Sequence, residues 1–198
     1  MNGNGLEVGV LALQGASAPH HAVLARLGVM AREVRSPSEL EGLTHLILPG
    51  GESTTIRHLL ELFDLGSLLV ERQRRGELKV FGLCAGAILL GRDEGADSAG
   101  PAGPLGLGLL DAVLERNAYG RQVHSFSRTE HLDGLGCDFR CIFIRAPRIR
   151  SVGPGVRVLG STAEGEPLLV QAPGILAGTF HPELTGDPLL HRHFLERV

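Results

Sequence analysis

Three short apolar runs, each halted by a glycine-bearing turn, constrain the fold of this chain more than any other feature. Residues 6–13 (LEVGVLAL) stop at Gln14-Gly15, residues 44–48 (THLIL) at Pro49-Gly50-Gly51, and residues 79–83 (KVFGL) run into Cys84-Ala85-Gly86. Strands buried on both faces read as continuous apolar runs of this length rather than as polar–apolar alternation. Between the runs, residues 20–27 carry apolar side chains at helical spacing, as do Ile56, Leu59, Leu60 and Phe63 on one face, with Ser53 or Thr54 as the cap. Residues 67–75 add a further amphipathic stretch, residues 30–34 fit an outer strand, and Ser36-Pro37-Ser38 breaks the pattern. Alternation of strands and helices predicts a doubly wound α/β fold of three layers, with a central, mostly parallel sheet.

The second half is richer in strands, expected at 109–115, 141–145, 156–161, 168–171 and 175–180, some of them antiparallel, before a closing helix over 188–197. Residues 93–108 (beginning DEGADSAGPAG) are too rich in Gly, Ala and Pro for a regular element and are expected to form a surface loop. A chain of 198 residues suits one domain, 1–198. Its 28 glycines are about twice the usual share, which implies many tight turns.

Lys+Arg 19 against Asp+Glu 22 gives a formal net charge of −3 with no basic block, which argues against nucleic acid or an anionic membrane as partner. No apolar run approaches the ~18–20 residues of a membrane span. Residues 1–5 place no Lys or Arg ahead of the first apolar run, so no secretory signal is expected and a cytoplasmic location is. Three cysteines are too few for a disulfide framework, and reduced thiols are expected. Cys137 and Cys141 lack a second pair of ligands, so no metal site is expected and both are read as structural thiols. His20, His21, His191 and His193 fall on expected surface helices and are read as solvated.

Gly82-Leu83-Cys84-Ala85-Gly86 has the form of a strand-to-helix elbow, with small residues on either side of a nucleophile. There the Cys84 side chain projects from a strand end, next to the N–H groups of a helix start; the alternative is a buried small hydrophobe. His181, in Gly178-Thr179-Phe180-His181-Pro182-Glu183, is the histidine best placed as its base. Pro182 restricts the preceding residue, and Glu183 falls on the same side as His181 if the backbone stays extended. The same residues also fit a capped helix start. Pro49-Gly50-Gly51-Glu52-Ser53 is either an anion-binding turn or an ordinary strand-to-helix turn that needs glycine for its geometry, and it lacks the Lys of a Walker loop.

PGGES at 49–53, GLCAG at 82–86 and FHPE at 180–183 together resemble the class I, or triad, glutamine amidotransferases. LALQG at 11–15, ERNAYGRQ at 115–122 and FIRAP at 143–147 narrow the likeness to the glutaminase subunits of two-component pyridoxal 5′-phosphate synthases. The resemblance implies a glutamine amidotransferase-like (flavodoxin-like) fold, Cys84 as nucleophile, His181 as general base and acid, and Glu183 as the orienting carboxylate. It implies glutamine binding by Gly51, Glu52, Ser53, Arg116, Ile144 and Arg145, and an oxyanion hole from the backbone of Gly51 and Ala85. No cofactor is implied. The implied partners are L-glutamine and a separate (β/α)₈-barrel synthase subunit that takes the ammonia. A glutaminase serving another acceptor, or a silent redox-sensing module on the same fold, are the competing readings. Residues 16–20 depart from the usual pattern after LALQG, and residues 100–106 diverge.

Overall fold

The computed structural model describes residues 6–92, 106–116 and 125–198. Most of the expected 93–108 loop, and residues 117–122 of the ERNAYGRQ motif, therefore lie outside the described residues. In chain order the elements begin with β1 (Val8–Leu11), α1 (Ala18–Arg26), β2 (Ala31–Val34), α2 (Pro37–Leu40), β3 (His45–Leu48), α3 (Ser53–Leu62) and α4 (Leu65–Arg74). They continue with β4 (Lys79–Leu83), α5 (Ala85–Leu90), β5 (Ala112–Glu115), β6 (Phe126–Leu132), β7 (Cys137–Phe143) and β8 (Arg148–Val152). The last are β9 (Arg157–Ser161), β10 (Pro167–Ala172), β11 (Ile175–Gly178), a single 3₁₀ turn (Pro182–Leu184) and α6 (Leu189–Arg197).

Among the described residues, seven strands form one sheet in the order β2-β1-β3-β4-β11-β10-β9. The first five run parallel, β10 returns antiparallel to β11, and β9 pairs antiparallel with β10, so only β10 is reversed. The three apolar runs read from the sequence are β1, β3 and β4, side by side at the centre, and residues 30–34 supply the edge strand β2 as expected. Successive side chains of a strand serve opposite faces. Leu46, Leu48 and Val80 accordingly pack with Ile56, Leu60 and Leu69 from α3 and α4, while Val8, Val10, Ile47 and Phe81 pack with Leu24 and Phe194 from α1 and α6. Two apolar layers, one on each side of a central sheet, make the doubly wound three-layer fold that the alternation predicts.

The strand-rich half differs in detail. β6 and β8 were not expected: β6 (FSRTEHL) is mostly polar and pairs with β7 in a two-stranded ribbon, exposing much of its length, so no apolar run marks it. β5 pairs with β8 in a second ribbon. Ser36-Pro37-Ser38 does not simply interrupt the chain, because Pro37 opens the one-turn helix α2. Phe63 falls at the C-terminus of α3 and is exposed, off the buried face of Ile56 and Leu60.

The histidines give the largest correction. His20 and His191 are not solvated: each is 0% exposed, and His20 Nδ1 lies 3.0 Å from His191 Nε2. His20 shares a helix face with Val23 and Leu24, and His191 sits one residue after Leu190 and three before Phe194, so their α1 and α6 spacing carried the signal. His193 is partly buried and bonded to Gln171, and His45 is buried against Phe194.

Burial disfavours the charged imidazole, holding His191 and His45 down at about 4 and His20 well below its usual range. A folded-state pKa below the unfolded value gives stability that is complete above about pH 6.5 and is lost as pH falls toward 4. For His191 that is on the order of 3 kcal/mol. Urea unfolding at pH 7 and pH 4.5 is expected to show a markedly lower midpoint at the acid value, with the difference reduced in His191→Phe. Equal midpoints at the two pH values would show these histidines to be accessible to protons in the folded state.

Candidate active site

Neighbouring parallel strands bring their carboxyl ends to one edge of the sheet, and the segments that leave those ends form the candidate site. Gly15 follows β1, Gly50 and Gly51 follow β3, Cys84 follows β4 and His181 follows β11, four strands adjacent in the order β1-β3-β4-β11. The Cys84 N–H donates to the carbonyl of Gly178 at 2.8 Å, so the parallel β4–β11 ladder continues up to the elbow. Residues far apart in sequence meet because their strands are hydrogen-bonded neighbours.

Cys84 has φ +50° and ψ −105°, a region that side chains rarely adopt. Such a conformation costs about 1–3 kcal/mol and persists only where the surroundings impose it. Here the imposing contact is a close crossing of backbones: a Cβ on Gly86 would lie 2.1 Å from the carbonyl oxygen of Leu48. Only glycine lets α5 start this close to β3, which fixes the turn at Cys84. Gly50 has a comparable role, since a Cβ there would lie 2.3 Å from Cε1 of His181.

His181 and Glu183 are both buried. Nδ1 of His181 lies 2.7 Å from Oε1 of Glu183, within charge-assisted hydrogen-bond range. The backbone that achieves this is not extended, as expected from the sequence. It is the 3₁₀ turn Pro182–Leu184, capped by His181, which folds Glu183 back beneath the ring. Burial by itself lowers the imidazole pKa, but its polar contacts with Cys84 and Glu183 outweigh it and push His181 up to about 10. His181 Nε2 makes no hydrogen bond of regular geometry among the described residues, and the Cys84 thiol donates instead to the Ile144 carbonyl at a long 3.8 Å. The Cys84–His181 contact is therefore electrostatic in this state, as is common before a substrate draws such groups together.

A cavity of about 450 Å³ opens over Cys84, a size usual for small-molecule sites. Cys84, His181, Gly51, Glu52, Ser53, Ala85, Arg116, Ile144 and Arg145 all line it, and Glu183 stands behind His181. Gly15, Ala16 and Ile88 also line it and were not singled out as site residues, although Gly15 closes the LALQG motif. Gln14 adds a contact the sequence did not predict: its Oε1 accepts from the Glu52 N–H at 2.8 Å, tying the turn after β1 to the turn after β3.

The cap of α3 is Glu52, not Ser53 or Thr54. Its carboxylate accepts from the N–H groups of Thr55 at 2.7 Å and Thr54 at 3.3 Å. Slight burial raises its pKa, but these bonds and nearby Arg116 prevail and hold the carboxyl below its usual value. Arg116 pairs with Glu52 at 3.2 Å at the half-exposed mouth of the cavity. Arg145, at φ +47°, makes the turn after β7 that presents the Ile144 carbonyl to Cys84. Neither Cys137 nor Cys141 lines the cavity, and burial pushes the Cys141 thiol up to about 12, as suits a packed thiol. No group of three or more potential metal ligands occurs among the described residues. Nor is any helix there long and apolar enough to cross a membrane.

Both the sequence and the fold are similar to those of known proteins. A crystal structure of a glutamine amidotransferase superposes with a TM-score of 0.87 at 49% identity, covering 96% of this chain and 97% of that one. A glutamine amidotransferase from Thermotoga maritima, 13% identical, shares the fold with a TM-score of 0.60 over 98% of this chain and 92% of its own. The pyridoxal 5′-phosphate synthase subunit PdxT of Thermus thermophilus is 50% identical over 189 residues, 96% of each chain. Its counterpart in a Thermotoga species is 47% identical over 194 residues, 98% of this chain and all of that one. Residues 10–198 match the model of the SNO glutamine amidotransferase family, and with relatives this similar over nearly the whole length, the chain belongs to that family.

Proposed function

We propose that this chain, as one glutaminase domain, hydrolyses L-glutamine to L-glutamate and ammonia and passes the ammonia to a separate (β/α)₈-barrel synthase subunit for pyridoxal 5′-phosphate synthesis. The observation that carries this reading is the convergence of Cys84, the His181–Glu183 pair and Arg116 on a single cavity. The similarity to chains named pyridoxal 5′-phosphate synthase subunit PdxT supports the choice of acceptor.

Arg116 holds the α-carboxylate of glutamine, exchanging its present partner Glu52 for the substrate, while Gly51, Ser53, Ile144 and Arg145 contact the rest of the amino acid. The Cys84 thiolate attacks the side-chain amide carbon. The oxyanion that forms is stabilised by the backbone N–H groups of Ala85 and Gly51, each donor lowering the barrier by ~3–4 kcal/mol. His181, held as the imidazolium by Glu183, gives its proton to the amide nitrogen. The C–N bond breaks, ammonia leaves and a glutamyl thioester remains. Neutral His181 then takes a proton from water. The resulting hydroxide attacks the thioester, and the C–S bond breaks to return the Cys84 thiolate and release glutamate. No step calls for a metal or cofactor. A reduced nucleophilic thiol suits the cytoplasm.

Ammonia released into neutral water is protonated and lost as a nucleophile, so the proposal places the acceptor site on a docked subunit. Docking completes the oxyanion hole through a change at Gly50-Gly51. Glutamate release measured with and without the synthase subunit tests this: the complex is expected to be faster by on the order of 10²-fold, the worth of one oxyanion donor. Equal rates would remove the gating, and no release in either case would remove the glutaminase reading.

A further inference from the structure

We infer that His20 is a positioning residue for Glu183 and that His191 fixes the tautomer of His20, extending the line Cys84–His181–Glu183 by two buried imidazoles on α1 and α6. This rests on the glutaminase reading above.

Glu183 is a buried carboxylate whose side chain is 2% exposed, yet only Oε1 is hydrogen-bonded, to His181, and Oε2 has no partner among the described residues. A buried carboxylate held by a single bond is free to turn and costly to keep charged. The second contact it makes is with His20, whose Nε2 stands 3.9 Å from Oε1 and likewise has no hydrogen-bond partner. An orphaned imidazole nitrogen thus faces an under-coordinated carboxylate in a site closed to water, and a small rotation brings them into bonding distance.

The protonation pattern follows from the other side of the ring. His20 and His191 are both neutral at pH 7: burial holds His191 at about 4, and burial, reinforced by His191, His181 and His21, holds His20 well below its usual range. Between the two rings, His20 Nδ1 and His191 Nε2 are 3.0 Å apart, so one of them carries the proton they share. With that proton on His20 Nδ1, the His20 Nε2 lone pair faces the Glu183 carboxylate and the His191 Nδ1–H is buried without an acceptor. With it on His191 Nε2, His20 carries its proton on Nε2, where the Glu183 carboxylate 3.9 Å away is the acceptor it meets once a small rotation closes the gap. His191 is fixed in turn by packing, its ring edge-on to Phe81 at 5.8 Å. The result is a directed line, His191 Nε2–H to His20 Nδ1, His20 Nε2–H to Glu183, Glu183 to His181 Nδ1, that holds the carboxylate under the general acid.

His20→Leu removes the donor while keeping an apolar side chain on α1. Its kcat is expected to fall about tenfold, the scale on which outer partners orient functional side chains, with KM little changed. In proton NMR the titration of His181 is expected to move to lower pH, because a Glu183 that turns away stabilises the imidazolium less. His20→Gln, which offers an amide N–H near the position of Nε2, is expected to recover most of both changes. A purely structural His20 alters melting temperature but leaves the His181 titration where it was. The proposal is overturned if folded His20→Leu keeps the parental titration and kcat, if the titration rises, or if His20→Gln is as impaired as His20→Leu. Should His20→Leu fail to fold, His191→Phe decides: a smaller downward shift supports the line, and an unmoved titration overturns it. The titration needs neither glutamine nor the synthase subunit. A shift in a protein that hydrolyses no glutamine keeps the line and removes the glutaminase reading, and hydrolysis without a shift does the reverse.

Discussion

Cys84→Ala is expected to abolish glutamate release, lowering kcat by at least ~10⁴-fold when assayed with the synthase subunit, since the replacement leaves no nucleophile to form the thioester. The fold is expected to survive. The sharp turn at residue 84 is imposed by the crossing of Gly86 and Leu48 rather than by the sulfur, and Ala retains a Cβ in the same unusual conformation. Activity and stability should therefore separate, with loss of turnover beside a parental melting curve. Glutamate produced at the parental rate by the alanine protein would sink the assignment of Cys84. Binding of glutamine is expected to persist, because Arg116, Ser53, Ile144 and Arg145 line the cavity independently of the thiol.

Glu183→Gln is expected to lower kcat by roughly 10²–10⁴-fold, the range set by loss of the orienting carboxylate in a triad. Shape is nearly conserved, so the effect isolates charge and proton placement. The neutral amide can donate as well as accept, so it no longer dictates that Nδ1 of His181 carries a proton. The imidazolium also loses one of the two partners, Cys84 and Glu183, that together hold its pKa near 10 against burial. The sign follows from linkage: a folded-state pKa raised above the unfolded value gives stability that is complete below about pH 6.5 and is lost as pH rises through 10. In the glutamine variant that contribution shrinks, leaving only the part due to Cys84, so unfolding midpoints of the two proteins should differ at pH 7 and converge above pH 10. A variant with parental kcat and an unchanged stability profile would show that Glu183 does not act on His181.

Both results bear on a site whose parts have unequal origins in the sequence. The elbow was legible because strand and helix signals meet at Cys84 with glycine on both sides, and those glycines are required where backbones cross. Arg116 gave no local signal. It lies at the end of β5, and only family resemblance marked it out before the structure placed it against Glu52. The helix cap was misread for a related reason. Ser53 and Thr54 have the usual capping chemistry, but the turn geometry lets the longer Glu52 reach Thr54 and Thr55 while Ser53 enters the helix. The ribbon strand β6 escaped notice because a strand buried on little of its surface keeps no apolar pattern.

By itself the sequence determined the elements that hydrophobic period and turn chemistry specify: the buried strands β1, β3 and β4, the helices between them, and the glycine turns at the strand ends. These are local properties, fixed by neighbours within a few residues. Only the tertiary structure decided which strand ends stand side by side, and so that His181 on β11 meets Cys84 on β4. It also decided that His20 and His191, 171 positions apart, are a buried pair behind Glu183 rather than solvated side chains. Periodicity can place a polar residue on a buried helix face. Whether it finds a partner there depends on a second element docking against it, which no local pattern encodes.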